Sequence, residues 1–207
     1  MSNVDKSSRE FFEEKYRTAT DPWSFATSPY EQRRYSAIIE HVAAGQCAQV
    51  FEPGCSIGEL TVQLAQCCGQ VTAIDIAETA ITVARRRCDG LGNVDIRQGS
   101  LPDDLPPGPF DLIVFSEIGY YFDEQGLGRL AGEMARRITA GGRLIAVHWT
   151  GRAVDHVLTG ATVHEVLGRP LAMVHVTHEE QLPEIGSDSD DGFLLDVWQR
   201  TIDEAIQ

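Results

Sequence analysis

From Gln49 onward, short apolar runs alternate with segments of helical periodicity, the pattern of βα units that build a parallel sheet. The strand-like runs are QVFEP (49–53), VTAID (71–75), VDIRQ (94–98), FDLIVFS (110–116) and RLIAVHW (143–149). Between them the pattern predicts helices near 59–68, 78–89 and 124–139, the last closing at Gly141-Gly142 as a C-cap. Ahead of the sheet, SREFFEEKYR (8–17) reads as an amphipathic helix, DPWSFATSPYE as a turn-rich connection, and about Glu31 to Val42 as a second helix. After Trp149 the alternation stops. A helix at 161–168 is followed by LAMVHVTH (171–178) and, across the turn-like GSDSDDG, by FLLDVWQR (193–200). Two strands without an intervening helix predict an antiparallel pair finishing a mostly parallel, seven-stranded sheet. The chain reads as one α/β domain over 1–207, with an N-terminal helical cap (1–45) on a core (46–207).

Composition narrows the partners. Seventeen Lys and Arg stand against 31 Asp and Glu, a net charge of −14, whereas a nucleic-acid binder needs a basic stripe to release counterions. Residues 151–207 hold three arginines against eleven acidic residues, so −8 of the charge lies beyond the fifth strand. That concentration suits a solubilising edge, or a field favouring a cationic ligand. The five cysteines are odd in number and show no C-x-x-C spacing, which points to a reducing compartment. No stretch resembles a signal peptide or a membrane span, so a cytoplasmic protein with no membrane partner is expected.

The most informative segment is VFEPGCSIGEL (50–60), where Glu52, Gly54 and Gly58 follow the first strand and open a helix. Gly54 permits a tight turn and close approach of a ligand, and the helix start supplies free N–H donors. Such a loop cradles either a dinucleotide pyrophosphate or a nucleoside carrying an amino-acid tail. Asp75 ends the second strand, where a carboxylate accepts from both ribose hydroxyls; its alternative use is to cap the next helix. An NAD enzyme spells this loop G-x-G-x-x-G, and here it is Gly54-Cys55-Ser56-Ile57-Gly58, which disfavours an oxidoreductase.

The spacing Glu-x-Gly-x-x-x-Gly resembles the first motif of class I S-adenosylmethionine-dependent methyltransferases, with Ser56 in place of the usual middle glycine. Asp75 matches the ribose-binding acid of that class, and GSLPDDLPPGPFDLIVFSE (99–117) matches the region lining the adenine and the reacting centre. Ser100 stands where an Asp is usual, so Ser100 or the Leu101 backbone would meet the adenine amino group. DPWSFATSPYEQRRY (21–35), EPGCSIGELT, FDLIVFSEIGYYF and GGRLIAVHW are similar to the rhizobial nodulation N-methyltransferase family over about residues 10–165. The resemblance implies a Rossmann-like class I methyltransferase fold with an antiparallel last strand, and S-adenosylmethionine as cofactor, leaving as S-adenosylhomocysteine. It also implies a small-molecule acceptor, the free amine of a de-N-acetylated chito-oligosaccharide. Cofactor contacts fall to Trp23, Arg33, Glu52, Gly54, Cys55, Ser56, Gly58, Asp75, Ile76, Gly99, Ser100, Leu101 and Ser116.

Methyl transfer to an amine needs an in-line nucleophile with a free lone pair, so a base at the carboxyl edge of the sheet is the feature to seek. Glu117, after the fourth strand, either binds a cationic amine and takes its proton or caps a turn and pairs with an arginine. His148, ending the fifth strand, is the other candidate base, or else a hydrogen-bonded structural group. Tyr30, Tyr120 and Tyr121 offer aromatic walls to a sugar or small ligand, whereas Phe25 and Phe122 suit packing alone. Of Arg33 and Arg34 in the second helix, Arg33 is preferred as partner of the cofactor's carboxylate and Arg34 as the solvated one; Arg85, Arg86 and Arg87 read as a solvated face.

Ser116-Glu117-Ile118-Gly119 replaces the Asp/Asn-Pro-Pro-Tyr motif of nucleobase amino-methylases, a second argument against nucleic acid. No metal is expected. His175 and His178 sit three apart in a predicted strand, an odd offset that sends side chains to opposite faces. Asp188 to Gly192 lacks the downstream glutamate of a calcium loop. The departures at Ser56 and Ser100 leave a second hypothesis standing, a methyltransferase fold that binds without catalysis.

Overall fold

The computed structural model describes residues 7–170, 172–183 and 192–202. The turn-like segment 186–192, including the calcium-like acids Asp188 to Asp191, falls outside them except for Gly192.

Seven strands form one sheet: β1 (Gln49–Pro53), β2 (Gln70–Asp75), β3 (Val94–Gln98), β4 (Phe110–Ser116), β5 (Ile138–Trp149), β6 (Met173–Gln181) and β7 (Phe193–Arg200), in spatial order β3-β2-β1-β4-β5-β7-β6. β7 runs antiparallel to both its neighbours, and the remaining pairings are parallel, as the resemblance implies. Alternation along β4 divides the core. Ile113 and Phe115 pack beneath α5 (Glu124–Arg137) and α6 (Gly160–Leu167). Leu112 and Val114 face α2 (Pro29–Ala43) and α3 (Glu59–Cys67). Both faces are covered, so the central strands are largely apolar on both sides. The strand order reverses between β1 and β4, and there a crevice opens beyond the carboxyl ends of the strands.

The cap helix α1 (Arg9–Thr18) is fastened across that crevice by side chains. Helix α4 (Glu78–Arg87) begins at Ala77, which has no capping side chain, so its first N–H groups need an outside acceptor. Glu13 of α1 supplies it, accepting from the Glu78 amide at 2.5 Å and from the Thr79 hydroxyl at 2.6 Å. Farther along α1, the Tyr16 hydroxyl donates to Ser56 Oγ at 2.5 Å.

Two expectations about local structure are corrected. Helix α5 stops at Arg137 rather than at Gly141-Gly142, because Ile138 turns extended, pairs with Phe110 and buries in the core; Gly141, at φ +76°, lies within β5 instead. In β6 the register against β7 shifts between His175 and Thr177, so an extra residue enters the strand. That bulge cancels the odd offset and turns His175 and His178 to one face, where both meet Asp196.

Candidate active site

The crevice encloses a cavity of about 580 Å³, in the range of small-molecule sites. Its floor is made by the ends of β1, β2, β3 and β4, which bring Gly54, Ser56, Asp75, Ile76, Gly99, Ser100, Leu101 and Ser116 to one lining. Gly54 has φ +74°, and a Cβ there would lie 2.4 Å from Ile118 Cγ2, so the turn tolerates only glycine. Ser56 also adopts a left-handed conformation, φ +49°, which explains why related loops use glycine at that point. Arg87, expected to be solvated, pins the loop by donating from Nε to the Ile57 carbonyl at 2.9 Å.

Asp75 is not the N-cap of α4, which is Ala77, yet it braces two backbone amides and still faces the cavity. Oδ2 accepts from the Ser56 amide and Oδ1 from the Ala77 amide, each at 2.9 Å, so the carboxylate ties the glycine loop to the start of α4. It still lines the cavity, and each oxygen keeps a second lone pair for a ligand hydroxyl. Burial pushes its pKa up to about 6, against the pull of those two amides. Ser100 is held differently from the expected acid: its amide donates to Asp104 Oδ2 at 2.8 Å.

Four residues assigned to the cofactor, Arg33, Glu52, Cys55 and Gly58, do not line this cavity. Cys55 is turned away into the core against Ala73, Ile81 and Ala84. Gly58, at φ +83°, starts α3 and lets that helix approach α4, where a Cβ would lie 3.1 Å from Ala84 Cα. Glu52 is buried beneath the loop, accepts from the Thr61 hydroxyl at 2.7 Å, and has its pKa pushed by burial up to about 8.

Neither arginine lines the cavity, and Arg34, expected to be solvated, is the one the fold buries. Arg33 is half-buried and absent from the cavity lining, whereas Arg34 is 3% exposed. The helical turn aims Arg34 inward, where it donates to Glu31 from Nε at 3.0 Å, forms a second close contact to the same carboxylate, and donates from Nη1 to Ser116 Oγ. Burial opposes its charge, but Glu31 and Glu117 hold it protonated. Both residues are polar arginines in one helix, so no local signal separates them; the apolar phase of Tyr30, Tyr35, Ile38 and Val42 is the clue that was available.

Glu117 sits at the edge of the cavity with φ +61°, a left-handed conformation that marks local strain. Its Oε1 accepts from the Trp149 amide at 2.8 Å and its Oε2 from the Tyr120 hydroxyl at 3.2 Å. Burial pushes its pKa up to about 7, while Arg34 and the two donors work the other way. Tyr30, Tyr120 and Tyr121 line the same end with Trp23, and Phe25 and Phe122 join them rather than packing alone. His156, which the sequence reading missed, stacks flat on Tyr120 with centroids 4.1 Å apart.

His148 is not a base. It is fully buried and outside the cavity lining, and its Nε2 accepts from the Gly119 amide at 3.1 Å. A backbone N–H can only donate, so the proton of the neutral ring sits on Nδ1, which lies 3.0 Å from His164 Nε2. His164 in turn donates from Nδ1 to Asp196 Oδ2 at 2.5 Å. Burial, together with His164 and Arg34, holds the His148 pKa well below the usual range. The chain positions the 3₁₀ turn Gly119–Tyr121, which carries Tyr120 and Tyr121.

The loop without a Cβ at Gly54, the buried carboxylate at Asp75 and the enclosing aromatic cap fit a nucleoside with an amino-acid tail. The chain shares its fold with the N-methyltransferase NodS from Bradyrhizobium japonicum WM9, solved in complex with S-adenosylhomocysteine; the match has a TM-score of 0.81 and 24% identity over 95% of this chain and 98% of that one. Magnesium protoporphyrin IX methyltransferase from Synechocystis PCC 6803, with bound S-adenosylmethionine, matches with a TM-score of 0.74 and 16% identity over 97% and 100% of the two chains. The fold is thus that of the class I S-adenosylmethionine-dependent methyltransferases. Residues 6–148 match the family model of Nodulation protein S, and Nodulation protein S of Rhizobium tropici is 33% identical over 186 residues, 83% of this chain and 72% of the relative. The chain belongs to the Nodulation protein S family.

Proposed function

We propose that this enzyme methylates the amine nitrogen of an amino sugar, with a partly de-N-acetylated chito-oligosaccharide as its acceptor class, in the cytoplasm. The observation that carries this reading is the charge of the cavity. Glu31, Asp75, Glu117, Asp123 and Asp155 line it, and none of its described lining residues is Lys or Arg. Such a cavity favours a cationic amine and repels phosphate and carboxylate acceptors. Among the described residues no helix is long and apolar enough to cross a membrane.

When bound, S-adenosylmethionine supplies an electrophilic methyl group on a sulfonium. Asp75 would hold its ribose, the Gly54–Ser56 turn its amino-acid end and the 99–101 segment its adenine. Arg34, by its position beside Ser116, replaces Arg33 as the arginine nearest that end. The protein's own task at the acceptor is to present a neutral amine. An arriving ammonium meets Glu117, whose pKa of about 7 keeps a basic carboxylate available near neutrality. Proton transfer to Glu117 frees the nitrogen lone pair, and Tyr120 and the Trp149 amide keep the carboxylate aimed. The cap helix and the aromatic walls exclude water and give the sugar rings flat surfaces to stack on.

The test is chemical. Glucosamine oligomers with one free amine, incubated with enzyme and S-adenosylmethionine, are expected to gain one methyl group on that nitrogen, read by mass spectrometry and NMR. Methylation at oxygen, or turnover only with fully acetylated oligomers, would overturn the assignment. Tight binding of S-adenosylhomocysteine without transfer to any amine would favour a non-catalytic binding protein.

A further inference from the structure

We propose that His175, His178 and Asp196 form a binding site for a divalent transition-metal ion of the zinc type, on the face of β6 and β7 and separate from the cofactor cavity. Three observations converge there. His175 Nε2 lies 2.5 Å and His178 Nδ1 2.9 Å from the same oxygen, Asp196 Oδ1, and the three ligand atoms all fall within 4.8 Å of one another. The convergence is produced by the β6 bulge, without which the two imidazoles would stand on opposite faces. The imidazoles are about half exposed, at 48% and 54%, while the carboxylate beneath them is 5% exposed, so the donors form an open-topped cradle with room for a solvent ligand.

The donor set selects the ion. Two imidazole nitrogens and one carboxylate oxygen suit zinc and its first-row neighbours, whereas magnesium and calcium require mostly oxygen ligands. Coordination replaces the two imidazole–carboxylate hydrogen bonds, each ring giving a nitrogen lone pair once its proton has moved to the other nitrogen or to solvent. The carboxylate is braced for this use. Its inner oxygen, Oδ2, is held by His164, which His148 supports in turn, so Oδ1 is left to the outer face. Ligating carboxylates are commonly braced in this way by a second layer of hydrogen bonds. No residue of the cradle lines the cavity, so the inference stands whether or not the acceptor is an amino sugar.

Zinc chloride titrated into the full chain, in competition with a chromophoric chelator, tests it. The exposed thiols are alkylated first, because Cys67 and Cys68 are adjacent, with sulfurs 3.8 Å apart, and would compete. One equivalent is expected to bind, and His175→Ala with His178→Ala is expected to weaken binding about 100-fold or more, beyond what loss of an outer-layer partner alone costs. S-adenosylhomocysteine affinity should be unchanged in the same variant, which shows that it folds. Cobalt chloride should give visible bands of nitrogen and oxygen ligation. No stoichiometric zinc binding, equal affinity in the double variant, loss of binding on alkylation, or a thiolate charge-transfer band would each overturn the site.

Discussion

Asp75 and Glu117 end two strands of the same sheet, and both are carboxylates whose pKa burial raises, yet they are built in different ways. Asp75 is satisfied by two backbone amides, that of Ala77 beside it and that of Ser56 in the glycine loop after β1, so its place is set by backbone turns. Glu117 is held by the Tyr120 hydroxyl three residues on and by the Trp149 amide of β5, and its charge is set against Arg34 and Glu31 of the distant α2. The cofactor side is therefore a backbone device and the acceptor side a side-chain assembly. The first tolerates variation around it, while the second can be retuned by changes far from the chemistry.

This contrast orders the expected effects of substitution. Asp75→Ala removes the proposed ribose acceptor and strands two amides, so S-adenosylhomocysteine should bind about 100-fold more weakly or worse, given roughly 1.5–3 kcal/mol for each hydrogen bond to a charged group. Titration calorimetry checks this, and an unchanged dissociation constant would break the backbone-device account. His148→Leu leaves the Gly119 amide without its acceptor, a cost of about 1–3 kcal/mol in stability by denaturant unfolding. It should also lower turnover through the displaced Tyr120 turn while leaving the midpoint of the pH–rate profile in place; a shifted midpoint would restore His148 as a base. Glu52→Gln is expected to have the smallest effect on cofactor binding and turnover, and to show instead in the pH dependence of stability. Its folded pKa of about 8 lies above the ordinary carboxylate range, so its contribution to stability is present at low pH and lost as pH rises through about 8. The variant should match the parent in Tm near pH 4.5, where Glu52 is protonated in both states, and exceed it by progressively more up to about pH 8; an unchanged difference across that range would mean that Glu52 does not titrate there.

The same contrast explains what could be read from the chain. Strand alternation, the glycine turn and Asp75 are local patterns, so the sheet, its reversed β7 and the convergence of Gly54, Ser56 and Asp75 on one cavity were legible. Glu117 was legible as a strand-end acid, because the end of a strand at the switch point is where ligands sit. Arg34 was not, since the choice between adjacent arginines depends on how α2 rotates against the sheet. His148 misled because a strand end says nothing about the Gly119 amide that occupies its nitrogen. The His175 and His178 pair was dismissed by a sound rule of strand geometry that a single inserted residue reverses. Helix α5 ended early for a related reason: pairing of Ile138 with Phe110 outweighed the glycine pair as a stop signal.

The central claim is that the Glu117 carboxylate frees the acceptor amine. The pH dependence of kcat/KM for methyl transfer to a glucosamine oligomer, compared between the parent and Glu117→Gln at matched saturation with S-adenosylmethionine, tests it most directly. The parent rate should rise with pH through about 7, as Glu117 loses its proton and becomes able to accept one. The variant should fall by about 100-fold or more and lose that limb, retaining only the rise set by the amine itself, with S-adenosylhomocysteine affinity within about twofold of the parent. Equal rates in the two proteins, or an unchanged limb in the variant, would contradict the account.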